Sequence, residues 1–283
     1  MLADRGAALW IDGHIRRGPE AAISLFDRGA RDGEGLFETL RVEAGRPQFW
    51  KQHLERLVLS AAELGFPVPP APARLRAACD ELLAAEGLSD AVVRITVTRG
   101  VPGGRPTRTG CWIEASTLAA RLWSGTRAGA AHAIISRTPF HPGSIGRHKT
   151  TSRLAYHLAR EEARAARADE ALLVNESGEL FEGAVSNVFV VIGGELLTPP
   201  LACGILPGIA RAVVLDASRA IGVRAREAPL TVEDLVRAEE VLLTNCVQQV
   251  VPLASLEEGR FGAPRLAPRL LAEFRAAVAA AED

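Results

Sequence analysis

The chain has almost no lysine. It carries 33 basic residues, of which only Lys51 and Lys149 are lysines and the other 31 are arginines. An arginine stays protonated at neutral pH and cannot condense with a carbonyl, whereas a desolvated lysine amine can. Where arginine supplies nearly all the positive charge, each lysine calls for its own explanation. Lys51 opens a segment with the pattern of a surface helix and reads as a solvated charge. Lys149 follows a loop containing Pro142, Gly143 and Gly146 and precedes a predicted helix, a place that presents an amine rigidly.

Other scarcities narrow the function further. The four cysteines, Cys79, Cys111, Cys203 and Cys246, lie far apart with no CxxC pair, which argues against a zinc site or a secreted disulfide framework. The six histidines include no HExxH, and no metal is expected. There is no basic excess, since 33 basic against 34 acidic residues leave a net charge of −1. A nucleic-acid partner is therefore not expected, and the ligand is read as a small molecule. The longest apolar runs, such as Val188–Ile192, are far shorter than the roughly 20 residues of a membrane span. Asp4 and Arg5 stand where a signal peptide would need an apolar stretch. The expectation is a soluble, cytoplasmic protein with no membrane partner.

What is present suits a two-domain enzyme. The length of 283 residues fits two ordinary domains, and 48% apolar residues can fill their cores. The 24% of charged residues is ordinary for a folded chain. The pattern predicts strands at 7–11, 36–42, 92–98, 112–115, 130–136 and 240–244. It predicts helices at 51–64, 75–86, 150–168, from about Gly208, and at 267–281. Thr150 to Ser152 are the expected caps of the 150–168 helix. Turns at Glu176-Ser177-Gly178 and Gly193-Gly194 predict hairpins. Mixed helices and strands with many hairpins give an α+β class with mixed or antiparallel sheets and flanking helices. The expected division is a small N-terminal α+β domain over 1–116, a linker over 117–128 and a larger domain over 129–283.

Two segments have the form of anion sites. Cys203 to Arg211 (CGILPGIAR) is a glycine-bracketed turn running into an apolar-periodic helix, and a helix start offers N–H groups and a positive dipole end. Thr244-Asn245-Cys246, at the end of the strand EVLLT, could turn its amides outward as a nest.

Several further motifs accompany these in order along the chain. They are DRG at 27–29, GEGLFETLR at 33–41, HLER at 53–56, HKTTS at 148–152, FEGAVSNVF at 181–189, LTPP at 197–200 and GILPGIAR at 204–211. The ordered set resembles the class IV, or fold type IV, aminotransferases that use pyridoxal 5′-phosphate (PLP). The resemblance implies the two-domain fold of that group and a homodimer in which the Arg99–Gly110 loop reaches the partner's site. It makes Lys149 the lysine that holds PLP as a Schiff base and shuttles a proton. It sets Glu182 against the pyridine nitrogen and Arg56 on the phosphate, with the backbone amides of Ile209 and Ala210, and with Asn245 and Cys246, completing the phosphate cup. Many relatives have threonine where Ala210 stands. Ser186 and Asn187 support the ring and the turn of Glu182.

The substrate side departs from the pattern. The Arg-x-His pair that traps the carboxylate in well-known D-amino acid aminotransferases is absent, leaving Arg99, Arg105 or Arg108 as substitutes. Arg31-Asp32 replaces an aromatic residue common in relatives. Arg31 is a candidate carboxylate binder oriented by Asp32, and the alternative is an ion pair closing the turn. Phe37 is a candidate pocket wall, and Thr39 matches a proton-donating threonine of aminodeoxychorismate lyase. Branched-chain enzymes usually carry a tyrosine five residues after the lysine, where this chain has Leu154. These departures favour a transaminase acting on D-amino acids or (R)-amines with an α-keto acid acceptor. The alternative is aminodeoxychorismate lyase. A branched-chain L-amino acid aminotransferase and a non-catalytic PLP-binding protein rank below both.

Overall fold

The computed structural model describes residues 6–103, 110–118 and 129–281. The chain divides into two compact units at Leu118 and Ala119. One short stretch breaks that simple order, because His148–Ser152 belongs with the first unit although Ala119–Arg147 and the chain from Arg153 belong to the second.

The first unit is built on one antiparallel sheet. Its elements are β1 (Ala8–Ile11), β2 (His14–Arg17), α1 (Arg28–Asp32), β3 (Gly35–Glu43), β4 (Arg46–Pro47), α2 (Trp50–Glu63), α3 (Pro72–Glu86), β5 (Ala91–Thr98) and β6 (Cys111–Thr117). The strand order is β2-β1-β6-β5-β3-β4, and all of its ladders are antiparallel. Alternate residues of a strand face opposite ways. Leu36, Leu40 and Val42 of β3 and Val93, Ile95 and Val97 of β5 therefore face one side, where they form a core with Leu54, Leu57 and Ala61 of α2 and with Leu75, Ala78 and Leu82 of α3. Phe37, Thr39 and Arg41 lie on the other face of β3. Val58 of α2 is exposed.

The second unit carries a ten-stranded mixed sheet. Its elements are β7 (Ala131–Ile135), α4 (Leu154–Ala165), β8 (Glu170–Val174), β9 (Glu179–Gly183), β10 (Asn187–Ile192), β11 (Glu195–Thr198), α5 (Ile209–Ala220), β12 (Ala225–Glu227), β13 (Leu230–Thr231), α6 (Val232–Arg237), β14 (Glu240–Asn245), β15 (Gln249–Leu256), β16 (Gly259–Arg260) and α7 (Leu266–Ala280). The order is β12-β11-β10-β14-β15-β7-β8-β9-β13, with β16 on β15. The β11–β12, β15–β7 and β7–β8 ladders are parallel and the rest antiparallel. Central strands such as β8 and β10 read as near-continuous apolar runs, as strands covered on both faces do. Both expected hairpins form, β8–β9 and β10–β11.

The helix expected from Thr150 starts at Leu154 instead. Its N-cap position is Arg153, with no side-chain cap, so Thr150 to Ser152 do not cap it. Thr150 forms an isolated bridge to β3, and the hydroxyls of Thr151 and Ser152 are used elsewhere, as described below. Among the described residues no helix is long and apolar enough to cross a membrane, and no group of residues could hold a metal ion.

Candidate active site

In the first unit, Lys149 is held by its backbone against β3. Thr150 bridges Leu36, the Phe37 amide donates to the Lys149 carbonyl at 2.9 Å, and the Thr151 amide donates to the Gly35 carbonyl at 2.8 Å. The Thr151 and Ser152 hydroxyls both donate to the Gly33 carbonyl, at 2.8 and 2.9 Å. A Cβ on Gly33 would stand 2.6 Å from the Ser152 hydroxyl, and one on Gly35 would stand 2.7 Å from the Thr151 hydroxyl. The GEG spacing thus makes room for the lysine segment. Buried His148 ties the same segment to α2, its Nδ1 lying 3.1 Å from the Ser60 hydroxyl.

Lys149 reaches the outer face of β3. Its Nζ lies 4.8 Å from the centre of the Phe37 ring, and the Arg94 guanidinium carbon lies 3.6 Å from the same centre. Thr39 is on this face too, half-buried, and is the cross-strand partner of Arg94. Two cations at one aromatic ring are attracted by its negative face. Arg94 was not singled out on the sequence. Its alternation with Val93 and Ile95 on β5 was the signal that set it on the Phe37 face.

On the helix-covered face of the same strand, Glu38 is 1% exposed. Arg56 of α2 grips it with two donors, Nε to Oε1 at 2.7 Å and Nη2 to Oε2 at 2.6 Å. His53 Nδ1 lies 2.7 Å from Oε2. Burial alone would raise the pKa of Glu38, but the adjoining Arg56 and His53 outweigh it and hold the carboxyl down at about 2.

In the second unit, Glu182 is the penultimate residue of β9 and is 3% exposed. Its Oε1 accepts from the Tyr156 hydroxyl at 3.1 Å, and its Oε2 accepts from Asn187 Nδ2 at 3.2 Å and the Leu206 amide at 3.3 Å. Asn187 also donates to the Leu206 carbonyl at 3.0 Å, and it pairs with Thr244 across the β10–β14 ladder. It therefore draws the turn before α5 to the end of β14. A Cβ on Gly208 would lie 1.9 Å from Asn187 Oδ1, so only glycine fits there. That glycine leaves α5 with no side-chain cap, while Ile209 and Ala210 at its start are buried. Uncapped, buried amides at a helix start suit an anion. The buried hydroxyl of Thr244 has no partner among the described residues.

The neighbouring predicted residues shape this region. Asn245 closes its own turn, Oδ1 accepting from the Val247 and Gln248 amides at 3.0 and 2.8 Å. These two amides lie just beyond the Thr244-Asn245-Cys246 segment. Ser186 donates to buried Glu170 at 2.8 Å. Burial raises the pKa of Glu170 to about 7, against the pull of hydrogen bonds from Ser186, Ala171 and Val185. Arg211, last of the GILPGIAR motif, is buried and donates to the Pro199 carbonyl of LTPP at 2.9 Å.

Residues 35–256 match the amino-transferase class IV family. The chain is a class IV aminotransferase. Such enzymes depend on PLP. A protein of Methanocaldococcus jannaschii provisionally assigned as a branched-chain-amino-acid aminotransferase is 32% identical, with 88% of each chain covered. The aminodeoxychorismate lyase of Bacillus subtilis is 28% identical, over 90% of this chain and 88% of the other. The D-alanine aminotransferase of Listeria innocua is also 28% identical, over 84% and 83%. A hypothetical aminotransferase from Mycobacterium tuberculosis, solved in a PLP-bound form, superposes with a TM-score of 0.86 at 26% identity, covering 97% of this chain and 99% of the other.

Other predicted substrate residues of the aminotransferase are placed differently from expectation. Arg99 donates to the Gly65 and Leu64 carbonyls at 2.6 and 2.8 Å and pairs with Glu34 at 2.7 Å, so it closes the end of α2. Its guanidinium is engaged by these three groups. Arg31 and Asp32 are exposed, and Asp32 lies 3.8 Å from Arg28. Among the described residues no ion pair joins Arg31 to Asp32. Arg105 and Arg108 lie outside the described residues.

Proposed function

We propose that this aminotransferase moves an amino group between an α-amino acid and an α-keto acid, holding the carboxylate common to both at Arg94. The observation that carries the proposal is the pair of cations, Lys149 and Arg94, on the Phe37 ring. One is an amine able to condense with a carbonyl and the other a forked donor suited to a carboxylate.

The residues present fit PLP. The buried, uncapped start of α5 suits a phosphate, the Lys149 amine suits an aldehyde, and the buried Glu182 carboxylate suits a pyridine nitrogen. PLP supplies an aldehyde that condenses with amines and a ring that draws off the electron pair released at the amine carbon. By the family resemblance, the residues that would take the phosphate are Arg56, Ile209 and Ala210 through their amides, and Asn245 and Cys246. Ala210 contributes its backbone alone, having no hydroxyl. Glu182 holds the proton at the ring nitrogen, with Asn187 steadying its carboxylate and Ser186 the turn behind it. Lys149 Nζ carries the proton to and from the substrate carbon. Thr39 and Phe37 line the same face as Arg94.

The named relatives span three activities, so the choice among them is made on this chain's own residues. Leu154, at the position where branched-chain enzymes carry a tyrosine, is exposed. This favours a D-amino acid such as D-alanine over L-leucine as donor. The lyase reading has Thr39 in its favour. The test is incubation of the PLP form with D-alanine, L-leucine and aminodeoxychorismate. D-alanine should aminate the cofactor. Reaction with L-leucine alone would overturn the D-donor reading, and pyruvate with an aromatic amine would establish the lyase. The Arg94→Ala variant should keep bound PLP and raise KM for amino and keto acid alike by about tenfold or more, the loss expected for a charge-assisted hydrogen bond. An unchanged KM would remove Arg94 from the site.

A further inference from the structure

Tyr156 is the only tyrosine in the chain. It lies in the first turn of α4, is 9% exposed, and donates its hydroxyl to Glu182. Its ring is fixed from two directions. The Arg153 guanidinium carbon lies 3.6 Å from the ring centre, and Phe140 meets the ring edge-on at 5.0 Å. Phe140 also packs on Phe181, the neighbour of Glu182, at 6.0 Å. A buried phenol needs only some acceptor, and a backbone carbonyl would serve. Here the acceptor is a buried carboxylate. Burial and the nearby Glu182 both raise the pKa of Tyr156 above its usual value, so the phenol remains a donor.

We propose that Tyr156 is a positioning residue for Glu182, whose hydroxyl keeps the carboxylate ionised and oriented and, through it, keeps the pyridine nitrogen of PLP protonated. The inference rests on the assignment of Glu182 to that nitrogen. A hydrogen bond to the charged form of a carboxylate favours that form. Without the donor, the proton shared with the ring moves toward the carboxylate, and the ring draws electrons less strongly. The other polar and titratable groups around the pair are Arg153 on the tyrosine ring, Glu170 of β8, Arg160 of α4, Glu179 of β9 and Cys203 before α5. Asn187 and the Leu206 amide lie on the carboxylate itself.

The single tyrosine makes the test clean, because supplying fluorotyrosine during expression alters this position and no other. The absorption band of bound PLP is followed against pH in the wild-type holoenzyme, Tyr156→Phe, the fluorotyrosine protein and Glu182→Gln. Tyr156→Phe should move the midpoint of the band by about one pH unit and lower kcat about tenfold, with KM nearly unchanged. Fluorotyrosine, a more acidic donor, should move the midpoint the opposite way, and it serves as the test if the phenylalanine variant does not fold. If both proteins titrate like the wild type while Glu182→Gln does not, Tyr156 is only a packing residue and the proposal fails. If Glu182→Gln itself keeps the wild-type band and PLP affinity, the assignment of Glu182 fails and the proposal falls with it.

Discussion

Glu38 is a charged residue on the apolar face of its strand, between Leu36 and Leu40. It is stable there because Arg56 and His53, three residues apart on α2, meet it with hydrogen bonds. Its carboxyl sits at about 2 when folded against an ordinary 4.5. A depressed carboxylate stabilises the fold above its unfolded pKa and loses that contribution as pH falls through the folded one. Denaturant melts should therefore show this contribution fading from about pH 4.5 down to about 2. Glu38→Gln should cost about 3–5 kcal/mol near neutrality, because it leaves Arg56 without its buried partner. Glu170 has the opposite sign. Its folded pKa of about 7 lies above the usual 4.5, so its contribution is present below 4.5 and lost as pH rises through 7. Glu170→Gln should remove that slope and be the more stable protein at mildly alkaline pH. A flat wild-type profile would contradict both assignments. Neither residue was singled out on the sequence, though Glu38 stood inside a quoted motif. Alternation sets Glu38 on the apolar face, and such a charge looks misplaced until the helix carrying Arg56 and His53 is placed over it.

At the scale of elements, the Lys149 segment shows where local pattern and tertiary structure part. Thr-Thr-Ser before an apolar-periodic run has the form of a helix cap, and the periodicity itself was legible because α4 does bury one face. The hydroxyls instead bond the Gly33 carbonyl, more than a hundred residues earlier in the chain, a competition between side-chain and helical hydrogen bonding that serine and threonine often win. The glycine motif and the lysine motif are thus two halves of one contact. Gly35→Ala should push Thr151 aside. The fold should survive with a modestly lower Tm, while kcat should drop by about a hundredfold, as displacements near 1 Å do. Adding Thr151→Ala should recover part of the loss. Equal kcat in Gly35→Ala and wild type would show that the contact does not position Lys149. By contrast, the start of α5 was read correctly from glycine spacing, since Gly208 forces both the turn and the absence of a cap.

At the scale of the whole molecule, family and class were legible because seven motifs occur in order, and several now have a structural reason: glycines that admit the lysine segment, an arginine that ties α5 to LTPP, an asparagine that joins two turns. The return of five residues to the first unit was not legible, since it depends on a pairing distant in sequence. Homodimerisation is our further expectation. Ile23, Leu25 and Phe26 form an exposed apolar stretch in the first unit, of the kind that marks an interaction surface. Sedimentation should give twice the chain mass of 30.1 kDa, and a Leu25→Asp/Phe26→Asp double variant should sediment as one chain. A wild-type monomer with full activity would refute the dimer.

The near-absence of lysine has a chemical consequence for handling the protein. Aldehydes add to accessible amines without discrimination, and an ordinary surface offers many. Here the described side-chain amines are exposed Lys51 and half-buried Lys149. Excess cofactor has little to decorate nonspecifically, so hydride reduction of the loaded protein should give one dominant mass adduct, and peptide mapping of that adduct reads the cofactor lysine almost without background.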